Sequence, residues 1–285
     1  LQKGHSPFYE PGLQDLISAG LRSSRLIFHS SIPKCLQKHQ PEGIFIAVGT
    51  PSQENGKADL STLYDVIDEI THHLHSDTVL ILKSTVPVGT AFKIKNFLIE
   101  SNITSKVEVV NNPEFLREGS AVQDFLKPDR IVIGTTSTQA KQLMRQIYDP
   151  LIQLGTPFFT LDHQSAELSK YAANVLLASR ISTMNQIANL CHKLNGNIRD
   201  IESVLKSDHR IGRHYLYSGL GYGGSCLPKD IKAFIQSCEE YDVNGSLAQA
   251  IDAFNKNQQM FFLEPLLSKC PPPKTIAILG LALNP

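Results

Sequence analysis

The sequence predicts an α/β protein with a partial doubly wound sheet, followed by an all-helical region. Three observations carry this reading. Short β-rich apolar runs alternate with helix-period segments over residues 1–162, as they do in βαβ units built around a parallel sheet. Over 163–270 strand-like runs disappear and long helical periods take over. At 285 residues the chain also exceeds one typical domain and can bury more than one core.

Taken in order, "GIFIAVGTP" (43–51) and "TVLILKSTVP" (78–87) are apolar runs that end in Gly, Thr and Pro, as buried parallel strands do. Between them, 58–74 reads as a helix with Asp59 as N-cap and Leu60, Leu63, Ile67, Ile70 and Leu74 along one face. Pro87 is placed to open a helix through Glu100. "VEVVNN" (107–112), "RIVIGTT" (130–136) and "PFFTLD" (157–162) are strands, with a helix over 138–153. The helical region begins with a long helix over 165–196 closed by Gly196, then shorter ones at 198–206 and 228–242. Ser246 is placed to cap a helix at 247–264, stopped by Pro265. "PPPK" (271–274) is a stiff linker into a last strand. Both ends read as interrupted, the chain opening on Leu1 and not Met and stopping at Pro285 just after a strand and a glycine turn.

Composition narrows the partners. The 27 basic and 27 acidic residues cancel, which removes any bulk electrostatic case for nucleic acid or a membrane surface and favours a small molecule. No apolar run reaches membrane-spanning length and no secretion-signal order opens the chain, so the expectation is a soluble cytoplasmic protein. The cysteines at 35, 191, 226, 238 and 270 are odd in number and lack a C-x-x-C pair. They read as free thiols, with neither a disulfide framework nor a metal site.

The most informative stretch is "GLGYGGSCLPKD", Gly219 to Asp230. It satisfies G-x-G-x-x-G, yet "RIGRHYLYS" before it is no strand, so the dinucleotide-loop reading is rejected. The residues after the glycines point instead to a nucleophile. With Ser225 as N-cap, Cys226 falls in the first turn of a helix, where free amides favour a thiolate, and Asp230 lies one turn further on. Gly221, Gly223 and Gly224 permit close backbone approach to a ligand. The bland alternative is a small buried cysteine after an ordinary turn.

The chain resembles the UDP-glucose/GDP-mannose dehydrogenase family. The resemblance rests on "FYEPGLQDLI" (8–17), "VGTP" (48–51), "KSTVPVGT" (83–90), "NNPEFLREGSAVQDFLKPDRIVIG" (111–134), "ELSKYAANVLLASRISTMNQIANLC" (167–191), "RIG" (210–212), the cysteine loop and "AILGLALNP", in family order across nearly the whole chain. It implies a Rossmann-like NAD-binding domain over 1–162 that lacks the family's first strand and its G-x-G-x-x-G. A helical dimerisation and catalytic domain over 163–270 follows, and then, at 271–285, the start of a truncated nucleotide-sugar domain. The implied activity is NAD-dependent four-electron oxidation of a nucleotide-sugar alcohol to a carboxylate, in the UDP-glucose branch, through a cysteine thiohemiacetal and thioester. The family would assign the product to polysaccharide precursor synthesis.

By resemblance, Cys226 is the nucleophile, Lys170 and Asn174 face the sugar carbon with Asp230 nearby, and Glu114 and Thr85 position water. Phe115, Leu116, Arg117 and Glu118, with Tyr217, Ser218, Gly219 and Gly223 of the glycine loop, hold the nucleotide diphosphate. Arg210 reaches the substrate of a second subunit in a homodimer. Val48, Thr50, Ser84, Thr85, Glu118 and Lys229 line NAD. Each position also has a plain structural reading. Lys170 and Arg210 are solvated charges in that reading, Glu114 caps a turn, Thr85 is a β-branched strand residue, and Asn174 is unfavourable in mid-helix unless something holds its amide. The competing functions are an N-acetylhexosamine or GDP-mannose dehydrogenase, a two-electron 3-hydroxyacid dehydrogenase that needs no cysteine, and a non-catalytic dimerising fragment.

Overall fold

Among the described residues, five strands form one sheet whose spatial order follows the sequence: β1 Gly43–Ile46, β2 Thr78–Leu82, β3 Val107–Asn111, β4 Ile131–Gly134 and β5 Phe158–Leu161. The computed structural model describes residues 1, 4–53, 55–74, 76–101, 103, 105–269 and 277. It divides into two units. The first comprises Leu1–Pro51 and Asp59–Lys170; the second comprises Ser52–Ala58 and the residues from Tyr171 onward. The segment expected to be linker and last strand, 271–285, lies outside the described residues apart from Ala277.

In the first unit β1, β2 and β3 are parallel, with Gly43 opposite Val79 and Thr78 opposite Val107. The junction of β3 with β4 is antiparallel, Asn111 facing Gly134, and β4 and β5 are again parallel to each other. This one reversal decides which face each helix covers. A parallel crossover is right-handed, so reversing the strands while stepping the same way across the sheet sends the crossover helix to the opposite face. Accordingly, α3 (Ser61–Thr71) and α4 (Thr90–Glu100) pack with α2 (Ile32–His39) on the face of Leu80, Leu82 and Val109. The helix α6 (Thr138–Gln153) packs on the face of Val79, Ile81 and Val110 through Ala140, Met144 and Tyr148. Every residue of β2 is buried as a result, which is why its sequence is continuously apolar and not alternating. The α/β expectation holds, and the second face is covered through a change of strand direction.

Several boundaries differ from the sequence reading, each for a local reason. The N-cap of α3 is Leu60, not Asp59; the Asp59 carboxylate instead accepts the Ser61 N–H at 2.9 Å. The helix expected from Pro87 starts at Thr90, because Gly89 takes the left-handed conformation at its N-cap. Helices α1 (Leu13–Arg22), α2 and α5 (Ala121–Leu126) did not emerge from periodicity. The start of α2 was nonetheless written in Ser31, whose hydroxyl accepts from Lys34 N–H with a proline in the first turn.

The long helix α7 runs from His163 to Lys193, two residues earlier than expected because Asp162 accepts from both the N–H and the hydroxyl of Ser165. Its exit uses Asn195, not Gly196, as the left-handed residue. Gly196 N–H then closes on Cys191 O at 2.9 Å, and a Cβ at Gly196 would sit 2.9 Å from Cys191 Sγ. The second unit continues with α8 (Ile198–Ser207), α9 (Leu227–Glu240) and α10 (Ser246–Lys269) around a core of Ala178, Ile181, Tyr222, Ile231 and Ile251. Pro265 does not stop α10, which carries it internally. No helix among the described residues is long and apolar enough to cross a membrane.

Candidate active site

The parallel strands β1, β2 and β3 end at one edge of the sheet, and the segments beyond them are tied together there. Lys83 and Ser84 N–H both donate to Ile46 O, and Asn112 N–H donates to Leu82 O. Ser84 Oγ donates to Val48 O at 2.6 Å and Thr50 Oγ1 to Thr85 O at 2.8 Å. Val48, Thr50, Ser84 and Thr85 are thus brought together at the strand ends where open α/β sheets bind ligands. A recess lined by Ser84, Thr85, Val86, Pro113, Glu167 and Lys170 opens beside them, with room for about one water.

Lys170 is not a solvated charge. Its side chain is 5% exposed, and Nζ lies 2.9 Å from Glu114 Oε1 and 5.5 Å from the centre of the Phe115 ring. Glu114 also accepts the Leu116 N–H at 2.6 Å, so it caps its own turn while holding the lysine. Lys83 lies close to the same charges. Burial lowers its pKa to about 8, Glu114 opposing the shift and Lys170 adding to it. Asn112 Oδ1 accepts from Lys83 Nζ at 3.3 Å and from the Tyr148 hydroxyl at 2.6 Å.

Glu167, which the sequence reading gave no role, organises this edge. Its carboxylate is buried and accepts Gly89 N–H at 2.6 Å, Ala91 N–H at 2.8 Å and Asn111 Nδ2 at 3.1 Å. It serves as the cap that Gly89 cannot provide, and so fixes the segment following Thr85 to the helix that carries Lys170. A signal was available: Glu167 stands three residues before Lys170, on the same side of α7.

In the second unit Asn174, one turn after Lys170 on α7, is held by a partner. Its Nδ2 donates to Asp230 Oδ2 at 2.5 Å, and Asp230 Oδ1 pairs with Lys229 Nζ at 2.6 Å. Asp230 is 1% exposed. Cys226 is exposed and is itself the N-cap of α9, not Ser225 before it; its Sγ lies 3.6 Å from Ser225 Oγ. Asp230 N–H closes the first turn on Cys226 O at 2.9 Å. Among the described cysteines Cys226 is exposed, Cys35 in α2 is half-buried, and Cys191 and Cys238 are buried.

The remaining expected residues are spread over surface segments. Arg130 stacks over Phe115 at 3.9 Å. Arg117 grips Asp124 with two guanidinium nitrogens, at 3.0 and 2.6 Å, and holds that carboxyl below its ordinary range. Glu118 is exposed on the same loop, which Glu10 fastens by accepting from Gly119 and Ala121 N–H. Arg210 is engaged with Asp208 two residues away, at 2.6 Å. Tyr217 stacks on Tyr215, Ser218 N–H donates to Glu202, and Gly219 N–H donates to Asn185. An added Cβ at Gly223 would meet nothing within 4 Å.

The fold defines a class: an α/β unit with ligand-type loops at parallel strand ends, continued by a helical unit with a cysteine at a helix start. The family follows from comparison. Residues 1–152 match the NAD-binding domain of the UDP-glucose/GDP-mannose dehydrogenase family and residues 164–257 match its central domain. The chain belongs to this family. It is 40% identical over its whole length to a UDP-glucose 6-dehydrogenase of Pseudomonas aeruginosa and to one of Bacillus subtilis, spanning 64% of each. The solved structure of a UDP-glucose dehydrogenase from Pyrobaculum islandicum is 35% identical with a TM-score of 0.89, over 94% of this chain and 62% of that one.

Proposed function

We propose that the whole protein is an NAD-dependent nucleotide-sugar dehydrogenase that oxidises the primary alcohol of UDP-glucose to the carboxylate of UDP-glucuronate. The observation that carries this reading is the accessible Cys226 at the start of α9, one turn before a buried Asp230 that is hydrogen-bonded to Asn174. A simple alcohol dehydrogenase has no use for such a thiol, whereas a dehydrogenase that must trap an aldehyde does. We further assign 1–162 to the NAD domain, 163–270 to the central domain and 271–285 to the start of a third. We take the protein to be a cytoplasmic homodimer joined through its central helices.

Bound NAD supplies the acceptor for each hydride. The residues present fit its reactive end: the loops of Val48, Thr50, Ser84 and Thr85 are already laced together, and Gly49 leaves open space above its Cα. Glu118 and Lys229 complete this set by resemblance. Lys170 and Asn174 donate to the oxygen as it gains alkoxide character, with Glu114 fixing the ammonium group. Cys226 Sγ adds to the aldehyde carbon, forming a C–S bond as the carbonyl oxygen takes a proton. Oxidation of that thiohemiacetal carbon leaves a thioester on Cys226. A water oriented by Thr85 and Glu114 attacks the thioester, Asp230 takes a proton, the C–S bond breaks and the thiol is regained. Phe115, Leu116, Arg117, Glu118 and the loop with Tyr217, Ser218, Gly219 and Gly223 hold the nucleotide, and Arg210 serves the partner's substrate.

The test is an NADH-forming assay on the full-length protein with UDP-glucose, GDP-mannose and a UDP-N-acetylhexosamine as alternatives. With UDP-glucose the expected yield is two NADH per sugar, and Cys226→Ser stalls before the second. A Cys226→Ser enzyme as active as the parent removes the nucleophile and returns the simpler two-electron reading.

A further inference from the structure

In the glycine stretch that leads to Cys226, side chains from other elements hold the backbone at Ser218, Gly219 and Tyr222. Tyr222 N–H donates to Asn255 Oδ1 at 2.8 Å, and Asn255 Nδ2 donates back to Tyr222 O at 2.9 Å. One side-chain amide therefore pairs with both backbone groups of a single residue, as a neighbouring strand would. One turn further along α10, Gln258 Nε2 donates to Gly219 O at 3.1 Å, and Gln258 Oε1 is fixed by Asn189 Nδ2 at 2.9 Å. Gly219 N–H goes to Asn185 Oδ1 at 2.7 Å and Ser218 N–H to Glu202 Oε1 at 3.2 Å. Asn185, Glu202 and Gln258 are all buried, and each gives one side-chain atom to the loop, Glu202 keeping its other oxygen for Arg199 and Lys206.

A second observation shows how closely Asn255 fits. Gly221 adopts φ +105, and a Cβ built there would collide with Asn255 Oδ1. Gly221 is therefore needed both for its positive φ and because Asn255 of α10 occupies the space beside it. Buried polar groups are costly unless paired, and mid-helix asparagines are unfavourable unless their amides are held. Three such residues aimed at one loop mark a device for fixing its backbone.

We propose that Asn255 and Gln258 are positioning residues: together with Asn185 on α7 they clamp Ser218–Tyr222 in one conformation, so that Cys226 is presented in a fixed place. The proposal deepens the reading of Cys226 as the nucleophile and rests on it. Asn255 and Gln258 touch neither the thiol nor a substrate in this scheme; they act through the loop.

The experiment compares the full-length parent with Asn255→Ala and Asn255→Asp by amide hydrogen exchange, iodoacetamide labelling of Cys226 and steady-state NADH formation. Asn255→Ala is expected to speed exchange at the Tyr222 and Gly219 amides by about ten-fold, the change that about 1.4 kcal/mol of lost bonding produces, with the amides of β2 unchanged. It is also expected to alter the Cys226 labelling rate and to lower kcat about ten-fold at a KM for NAD within about two-fold of the parent. Asn255→Asp keeps the acceptor for Tyr222 N–H and loses the donor, so it falls between the two and serves if the alanine variant does not fold. Unchanged exchange at 218–222 overturns the clamp. Faster exchange with unchanged labelling and kcat overturns its link to Cys226. The exchange measurement assumes no catalytic role, so it stands even where Cys226→Ser has shown the thiol to be dispensable, and the two failures are told apart.

Discussion

Replacing Glu167 by alanine removes the acceptor of three donors at once. Ala91 and Asn111 are buried, at 0% and 2% exposure, so water does not readily replace the carboxylate there, whereas the half-buried Gly89 N–H has a route to solvent. Two buried donors left unpaired cost about 1–3 kcal/mol each. Part of that is offset, because burial already holds the Glu167 carboxyl above its ordinary range against the three hydrogen bonds that favour its ionised form. The net expectation at neutral pH is a loss of about 3 kcal/mol from the first unit. At about 2–4 °C per kcal/mol this lowers its melting temperature by about 6–12 °C. Glu167→Gln keeps one oxygen and turns an amide donor toward an N–H, so it loses less, about 1–2 kcal/mol. The raised pKa sets the pH trend: as pH falls through the raised value the native state takes up a proton before the unfolded chain does, so the parent gains on the alanine variant. Urea titrations at several pH values, with exchange at the Ala91 amide as the local probe, measure all of this. An alanine variant within about 1 kcal/mol of the parent, or a glutamine variant less stable than the alanine one, refutes the capping argument.

Three further expectations rest on the same structure. Burial holds His163 down to about 4, with Lys95 adding to the shift, so stability falls as pH drops from 6.5 toward 4. After discounting for screening the loss is about 2 kcal/mol, and His163→Asn flattens the profile in chemical denaturation. Lys83, lowered to about 8, carries its burial cost in full below that pH and sheds it as pH climbs toward 10.5. Lys83→Met therefore stabilises the first unit by about 1–2 kcal/mol at pH 7, a gain that shrinks above pH 8. Gly221→Ala, strained at its positive φ and colliding with Asn255, costs the second unit about 2 kcal/mol or more. The same change at Gly223, where an added Cβ meets nothing, is mild, and thermal melts of the two variants compare them directly.

Most of the secondary structure was legible because its signals are local. Alternating apolar runs gave the strands, helical spacing gave α3, α6, α7, α9 and most of α10, and the cysteine at a helix start was readable from "GGSCLPKD". Boundaries shifted by two or three residues where a glycine or a side chain took over a cap, as at Gly89, Asp162 and Asn195. The short helices α2 and α5 offer too few turns for a period to register. Among site residues, Asn174 was singled out by resemblance, and its cost in mid-helix asked for a partner; the same question put to Asn185, Asn189 and Asn255 points to the loop clamp.

By itself the sequence determined the alternation of elements, the family motifs in their order and the residues fit for chemistry, because all of these depend on neighbours a few positions apart. Only the tertiary structure decided what those residues face. Lys170 meets Glu114 and Asn174 meets Asp230, each 56 residues away, and Asn255 meets a loop 33 residues earlier. The reversed direction of β4, which sends α6 to the far face of the sheet, belongs to the same class. The reason is common to all of them: a buried polar group must find a partner, but the path of the chain, not its local propensity, determines which distant group arrives beside it.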